Sequence, residues 1–233
     1  MITKNDMKAA IIQSSYIPWK GYFDIIHDVD VFIFLDNVEF SKGSWRNRNK
    51  LKTPNGVKWI SVPLQRKNLN HSNIDQVRVS KSNWQREHFN LLQLSYKDAL
   101  YFKQYEPMLR DFYLRTTWDS LSEMNQTFIR KIAAELNIST RFFNASELDP
   151  TGDREERLIN LCQIVGATTY LSGPSAKDYI TLDRWNAVGI DVQWKQYEYP
   201  EYPQLHPPFD HAVTVLDMLF MLGSDAPNYI WRD

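Results

Sequence analysis

The sequence predicts an α/β fold with a Rossmann-like, mostly parallel sheet that is flanked by helices. In the first and last thirds of the chain, short apolar runs alternate with segments of helical periodicity, which is the pattern of βαβ units. The middle third shows helical periodicity throughout. We expect a single domain over residues 1–233, with a helical insert at about 83–137 between the two halves that form the sheet.

The first βαβ unit is predicted near the N-terminus. Residues 8–13 (KAAIIQ) and 30–35 (DVFIFL) are apolar runs of strand length, and residues 22–28 (YFDIIHD) between them have helical spacing. Because parallel strands need a crossover connection of this kind, the two runs are expected to pair in parallel.

The other elements follow along the chain. A Pro-Asn-Gly sequence at 54–56 is a turn signal and predicts a hairpin, and Pro107 predicts a helix start or kink within the helical block. The predicted elements are hairpin strands at 51–52 and 57–64, a short strand at 77–79, helices at 84–96, 102–114 and 118–136, a strand at 140–143, a helix at 153–165, a strand at 169–172, a helix at 182–187, a strand at 190–196 and a helix at 213–222.

Composition excludes several classes of protein. Lys plus Arg number 27 against 28 Asp plus Glu, and this balance argues against a strongly basic nucleic-acid binder. A single cysteine excludes a disulfide framework and a Cys-rich zinc site. No apolar stretch is long enough to span a membrane, and neither GxGxxG nor GxxxxGK[ST] occurs. We expect a cytoplasmic protein without a membrane span, and an oligomer remains possible at this stage.

Three loops are expected to carry the functional groups. Ligands of open parallel sheets bind beyond the carboxyl ends of the strands. This rule selects residues 13–21, 36–50 and 172–175, which follow three predicted strands.

The second loop is the richest of the three. Asp36 opens it and is the candidate general base. The candidate ligand-binding residues that follow are Trp45, Arg46, Asn47, Arg48 and Asn49. Arginine forks bind carboxylates or phosphates, and an indole can stack on a base or a sugar. The alternative is a solvated basic turn in which Asp36 caps the backbone.

The first loop offers Gln13, Tyr16 and Trp19, and the third offers Ser172 and Gly173, as candidate binding residues. In the first loop, the alternative is that Tyr16 and Trp19 only cover a sheet edge. In the third, backbone N–H groups at a helix start are able to hold an anion, and the alternative is a plain proline turn with Ser as N-cap.

A proline-rich segment at 197–211 adds Tyr202, Gln204 and His206, which we expect to form an aromatic rim over the pocket. Two histidines with Asp210 also suggest metal ligation, but no compact HxH or HExxH spacing supports it. We expect no metal and no cofactor.

Four blocks of the sequence carry a family resemblance. These are IIQSSYIPWKGYFDII, DVFIFLDNVEFSKGSWRNRNKLKTPNGVKWISVPL, YLSGPSAKDYI and YPQLHPPFDHAVTVLDML. In order and spacing they resemble the WbqC-like proteins over nearly the whole chain. The family pattern falls on Gln13, Tyr16, Pro18, Gly21, Tyr22, Phe23, Asp36, Phe40, Ser41, Trp45, Asn47, Arg48, Asn49, Tyr170, Ser172, Gly173, Tyr202 and Gln204. The resemblance implies a role in bacterial surface-polysaccharide (O-antigen) biosynthesis.

A second likeness concerns the loop and helix after the first strand, SYIPWKGYFDII. It is similar to the start of nucleotidyltransferases of the HxGH type, where a histidine follows the glycine and stabilises the transferring phosphate. Tyr22 stands at that position and is a candidate catalytic residue together with Asp36. The loss of the imidazole argues against the same adenylyl-transfer chemistry.

Taken together, these features favour a transferase that acts on a nucleotide-linked amino sugar by N-acyl or aminoacyl (glycyl) transfer. Its expected partners are the nucleotide sugar and an activated acyl or aminoacyl donor or a carrier protein. The alternatives are a non-catalytic sugar- or nucleotide-binding protein of the same pathway and a nucleotidyltransferase-like enzyme.

Overall fold

Five parallel strands form the central sheet of the chain. The computed structural model describes residues 6–66 and 69–231. Its strands are β1 (Lys8–Ile12), β2 (Val31–Phe34), β3 (Arg48–Thr53), β4 (Gly56–Ser61), β5 (Arg141–Asn144), β6 (Thr169–Ser172) and β7 (Asp191–Trp194). The sheet has the order β5-β2-β1-β6-β7, with parallel pairing throughout, while β3 and β4 form a separate hairpin. The predicted α/β fold is therefore confirmed.

The helices surround this sheet and follow the predicted pattern closely. They are α1 (Lys20–His27), α2 (Trp84–Tyr96), α3 (Phe102–Arg110), α4 (Leu121–Glu135), α5 (Ala145–Leu148), α6 (Arg154–Ile164), α7 (Leu182–Ala187) and α8 (Val215–Leu222). No helix in the described ranges has both the length and the apolar character needed to cross a membrane.

Several elements differ from the predicted ones, among them β3, which begins at Arg48 inside the loop expected at 36–50, and three others in the middle of the chain. The helix expected at 118–136 begins only at Leu121, because the Ser120 side chain accepts a hydrogen bond from the Glu123 N–H and so caps it. The helix expected at 102–114 changes at Asp111 into a π-helical turn. The strand expected at 77–79 makes only isolated bridges, including one between Val79 and Leu64.

The sheet is covered by hydrophobic residues on both faces. Alternate residues of a strand point to opposite sides, so Ala10, Phe32 and Phe34 join one core while Ala9 and Val31 join the other. The first core includes the helical block α2–α4 and α8, and the second includes α6. Burial on both faces explains why these strands are continuous apolar runs.

The strand order places a crevice beside the carboxyl end of β1. β1 lies between β2 and β6, so the chain leaves it on one side first and returns to its other side later. Such a reversal is where open α/β sheets bind ligands. The loop after β1 is therefore the first place to look for a site.

Candidate functional site

A cavity of about 340 Å³ opens where the first two predicted loops meet. Its walls come from the loop after β1, the start of α1, the segment that leads into β3 and the segment before α8. The lining residues are Ser15, Pro18, Trp19, Tyr22, Trp45, Arg46, Asn49 and Ala212. We call this the loop cavity. It brings together four of the predicted site residues, Tyr22, Trp45, Arg46 and Asn49.

Backbone hydrogen bonds join the loop after β1 to the segment that leads into β3 and to the start of α8. The Tyr16 N–H donates to the Trp45 carbonyl at 3.0 Å. The Val215 N–H donates to the Pro18 carbonyl at 2.9 Å, and the Thr214 N–H to the Lys50 carbonyl at 3.1 Å. The cavity is therefore built by chain segments far apart in sequence and does not depend on one mobile loop.

Asn49 holds the loop after β1 in a strained shape. Its buried Nδ2 donates to the carbonyls of Tyr16 at 3.0 Å and Ile17 at 2.7 Å. Ile17 has a φ of 37°, a left-handed conformation that is costly for a β-branched residue. Asn49 thus lines the cavity mainly as the support of its wall.

Arg46 is a half-buried cation whose charge no carboxylate balances at ion-pair distance among the described residues. Its Nη1 donates to the backbone carbonyl of Gln13 at 3.0 Å and to the Gln13 Oε1 at 3.1 Å. Its Nη2 and Nε make no hydrogen bond within residues 6–66 and 69–231. Desolvation lowers the pKa of the guanidinium below its usual value. The arrangement leaves two donor groups for an anion in the cavity.

Tyr22 contacts the same backbone carbonyl as Arg46. Its hydroxyl donates to the Gln13 carbonyl at 3.0 Å, beside the Arg46 contact. Burial raises the pKa of the phenol well above its usual value. Tyr22 therefore keeps its proton at neutral pH and acts as a hydrogen-bond donor in this structure.

Asp36 is buried away from the cavity lining and already has three donors. Its Oδ1 accepts a hydrogen bond from the Ser14 N–H at 2.8 Å. Its Oδ2 accepts from Gln126 Nε2 at 2.9 Å and from the Ser122 hydroxyl. The carboxylate therefore joins the ends of β1 and β2 to α4, and the structure gives it the position of a clamp.

Tyr16 points into the core. Its ring is fully buried, and its hydroxyl lies 2.8 Å from His88 Nδ1 and 2.5 Å from the Tyr113 hydroxyl. The structure thus places Tyr16 behind the loop and outside the cavity lining.

We predict that His88 makes the fold sensitive to acid. Burial lowers the pKa of His88 from 6.5 to about 4, so between these values the unfolded chain binds a proton that the folded protein does not. The free energy of unfolding therefore falls as the pH drops through this window. For His88→Gln, the loss between about pH 7 and pH 4.5 should be smaller than in the wild type by about 2–3 kcal/mol. Urea unfolding at both pH values measures it.

The matched control is His71→Gln, because the His71 side chain is almost fully exposed. If both variants lose stability with acid as steeply as the wild type, His88 is not the responsible group.

Two neighbours of Arg46 face other directions. Asn47 donates from Nδ2 to the Val62 carbonyl at 3.0 Å and lines a separate open groove that also contains Arg66. The guanidinium of Arg48 lies over the Trp59 ring, 4.5 Å from its centroid. Neither residue lines the loop cavity.

The predicted third loop and proline-rich rim also stand outside the cavity lining. Ser172 is buried at the end of β6, and Gly173 precedes a short 3₁₀ helix. Tyr202 donates to Asp217 Oδ1 at 2.8 Å, Gln204 Nε2 donates to the Tyr202 hydroxyl at 3.0 Å, and His206 Nε2 donates to the Ser95 carbonyl at 2.7 Å. The last three side chains attach the proline-rich segment to α2 and α8.

Sequence reasoning did not select Ser15, Pro18 and Ala212 as binding residues, although they line the cavity. It offered Trp19 with the alternative of covering a sheet edge, and the structure places this indole in the lining, where a Cβ at Gly21 would overlap it. Ala212 has no chemical signature, and only the tertiary structure brings it here.

Other reactive groups are remote or inert. Cys162 is buried, which raises the pKa of its thiol to about 12. Across the described ranges, no group of three or more His, Cys, Asp or Glu side chains is placed to hold a metal ion.

Comparisons with known proteins agree with one another. The model of the WbqC-like protein family matches residues 13–229. An uncharacterized protein of Mycobacterium tuberculosis is 40% identical over 224 residues, which cover 96% of this chain and 97% of that protein. No solved structure gives a significant match.

Proposed function

Since the chain belongs to the WbqC-like protein family, we propose that the loop cavity binds a nucleotide-linked amino sugar used in bacterial surface-polysaccharide biosynthesis. The reaction proposed for it is N-acyl or aminoacyl transfer to that sugar. The pathway and the reaction rest on the family resemblance, whereas the anionic ligand rests on the site.

The observation that carries the anionic ligand is that Arg46 Nη2 and Nε have no hydrogen-bond partner among the described residues, while the Asp36 charge acts on Arg46 only from beyond ion-pair distance. A half-buried guanidinium without a carboxylate partner is favourable only if an anion or solvent satisfies it. Its Nη2 and Nε can both donate to a phosphate, which accepts bidentate hydrogen bonds well. The indoles of Trp19 and Trp45 supply apolar walls beside it.

In the proposed transfer, the amine of the sugar attacks the acyl carbonyl of a thioester donor. A C–N bond forms, the C–S bond breaks, and the amine proton leaves with the thiol. Among the described lining residues there is neither a carboxylate nor an imidazole. The residues of the cavity would therefore contribute by binding and orienting the substrates.

The same composition of the lining also supports a second candidate function, non-catalytic binding of the nucleotide sugar. Turnover with an activated glycyl donor and a nucleotide amino sugar separates the two. Product formation by the wild type, lost in an Arg46 variant, supports the transferase. Binding without product over a range of donors supports the binding protein.

We predict that Arg46→Gln weakens the binding of uridine diphosphate N-acetylglucosamine by about 10- to 100-fold, the effect of losing a hydrogen bond to a charged group. This probe is an unreactive analogue of the proposed acceptor, because its nitrogen is already acylated. Calorimetry on the full chain measures it, and Arg46→Lys should recover only part of the affinity because it keeps the charge but not the fork.

Arg66→Gln is the matched control for this experiment. Arg66 lines the open groove of about 670 Å³ beside Asn47 and not the loop cavity. If Arg66→Gln weakens binding while Arg46→Gln does not, the anion site is in that groove and the assignment to Arg46 is wrong.

A further inference from the structure

We propose that Trp45 and Trp59 form an outer subsite, on which the nucleobase of the nucleotide-linked sugar stacks while its diphosphate contacts Arg46. The inference rests on the proposed function and extends it to the nucleotide end of the ligand. Trp45 belongs to the cavity lining, and Trp59 lies on β4, outside it.

The two indoles form a continuous aromatic surface. Their ring centroids are 5.1 Å apart with an interplanar angle of 36°, and each side chain is 43% exposed. Large aromatic side chains are normally well buried, so two neighbouring exposed indoles next to a cavity indicate a binding surface. Every nucleobase has a flat π-face that such rings can stack on.

Positive charge surrounds this surface. The Arg48 guanidinium lies 4.5 Å from the Trp59 ring centroid, and Lys50 Nζ lies 5.6 Å from it. Both side chains come from β3, on the strand that follows Arg46. Cation–π contacts of this kind hold the indole in place and give the platform a charge suited to a phosphate ester.

The size of the loop cavity fits a second subsite outside it. At about 340 Å³, the loop cavity is at the lower end of the range of about 300–1,000 Å³ for sites that enclose a drug-sized ligand. A nucleotide-linked sugar has two ring systems joined by a diphosphate. With the diphosphate at Arg46, the cavity has room for one end, and the other end lies outside, where Trp45 leads to Trp59.

The test compares four ligands by calorimetry on the full chain: uridine diphosphate N-acetylglucosamine, uridine diphosphate, glucosamine 1-phosphate and inorganic pyrophosphate. Trp59→Ala should weaken the binding of the two uridine ligands by about 5- to 100-fold. The affinities for pyrophosphate and glucosamine 1-phosphate should stay within about twofold of the wild-type values. The matched control is Val57→Ala, because Val57 lies on the same strand and is also 43% exposed.

The outcomes separate this proposal from the one it rests on. Unchanged affinity for uridine diphosphate in Trp59→Ala overturns the platform, although Arg46→Gln still weakens pyrophosphate. The platform is also overturned if Trp59→Ala binds glucosamine 1-phosphate more weakly than the wild type but binds uridine diphosphate equally well. In that case the sugar, and not the nucleobase, stacks on the indoles. If the wild type does not bind pyrophosphate, the phosphate site at Arg46 is wrong, and with it the proposed function on which the outer subsite rests. Trp59→Phe, which keeps an aromatic ring, should retain most affinity and serves if Trp59→Ala unfolds.

Discussion

Replacing Asp36 with alanine should lower the free energy of unfolding by about 3–5 kcal/mol, because two buried donors and one half-buried donor lose their acceptor at once. These donors are the Ser14 N–H, the Ser122 hydroxyl and Gln126 Nε2. They come from the end of β1 and from α4, so the variant also frees the loop that carries the cavity wall. Urea unfolding followed by circular dichroism measures the change.

Asp75→Asn is the matched control for this prediction. Asp75 is close to Asp36, donates its N–H to the Asp36 carbonyl at 2.9 Å and has a buried Oδ1 that finds no hydrogen-bond partner in the described part of the chain. Desolvation and the Asp36 charge raise the pKa of the Asp75 carboxyl above its usual value. Removing this charge should leave stability unchanged or raise it by up to about 1 kcal/mol. Equal urea midpoints for wild type and Asp36→Ala would contradict the clamp.

A carboxylate that follows a strand can act as a general base or as a structural hydrogen-bond acceptor, and Asp36 illustrates the difference. The sequence predicts it as a general base, because such positions face the crevice of parallel sheets. A base must reach the proton it removes, whereas here both carboxylate oxygens already accept hydrogen bonds from the protein. Ser122 and Gln126 lie more than 80 residues along the chain, and nothing local in the sequence identifies them as partners.

The central sheet was predictable because its strands are buried on both faces. That environment selects continuous apolar runs, as in β1 and β2, and these are visible in the sequence without any knowledge of neighbours. The hairpin was less predictable. β3 begins with Arg48, Asn49 and Lys50, inside the segment expected to be a loop, because its pairing with β4 does not require apolar residues at those positions.

The position of the loop cavity was predictable in part, because two of the three selected loops line it and residues 172–175 do not, but the direction of the side chains was not predictable. The rule for parallel sheets selected the loop after β1 and the segment before β3, which do form the cavity. Within those segments, Tyr16 turns toward the core and Arg48 toward Trp59. These choices depend on partners on α2 and β4, so the sequence of the loop alone does not fix them.

Asp217 on α8 carries the other large predicted effect, because two buried tyrosine hydroxyls donate to its carboxylate. Its carboxylate is fully buried and accepts hydrogen bonds from the hydroxyls of Tyr96 at 2.9 Å and Tyr202 at 2.8 Å. Lys52 and Lys20 are also buried, at 1% and 2% exposure. Burial raises the pKa of the Asp217 carboxyl above its usual value, and the charge of Lys52 opposes that shift. Burial lowers the pKa of Lys20 to about 8, and the charge of Asp217 opposes it.

Asp217→Leu should therefore lower the free energy of unfolding by about 3–5 kcal/mol, since the buried hydroxyls of Tyr96 and Tyr202 both lose a charged acceptor. The control is Asp225→Ala, an exposed acid in the following segment, which should stay within about 0.5 kcal/mol of the wild type. Urea midpoints that are equal for the two variants would show that the network contributes little.

Lys20 follows Trp19 directly, and Asp217 lies on the helix whose first residue bonds to Pro18. The loss should therefore extend to the cavity, and uridine diphosphate N-acetylglucosamine should stabilise Asp217→Leu less than Asp225→Ala in thermal unfolding.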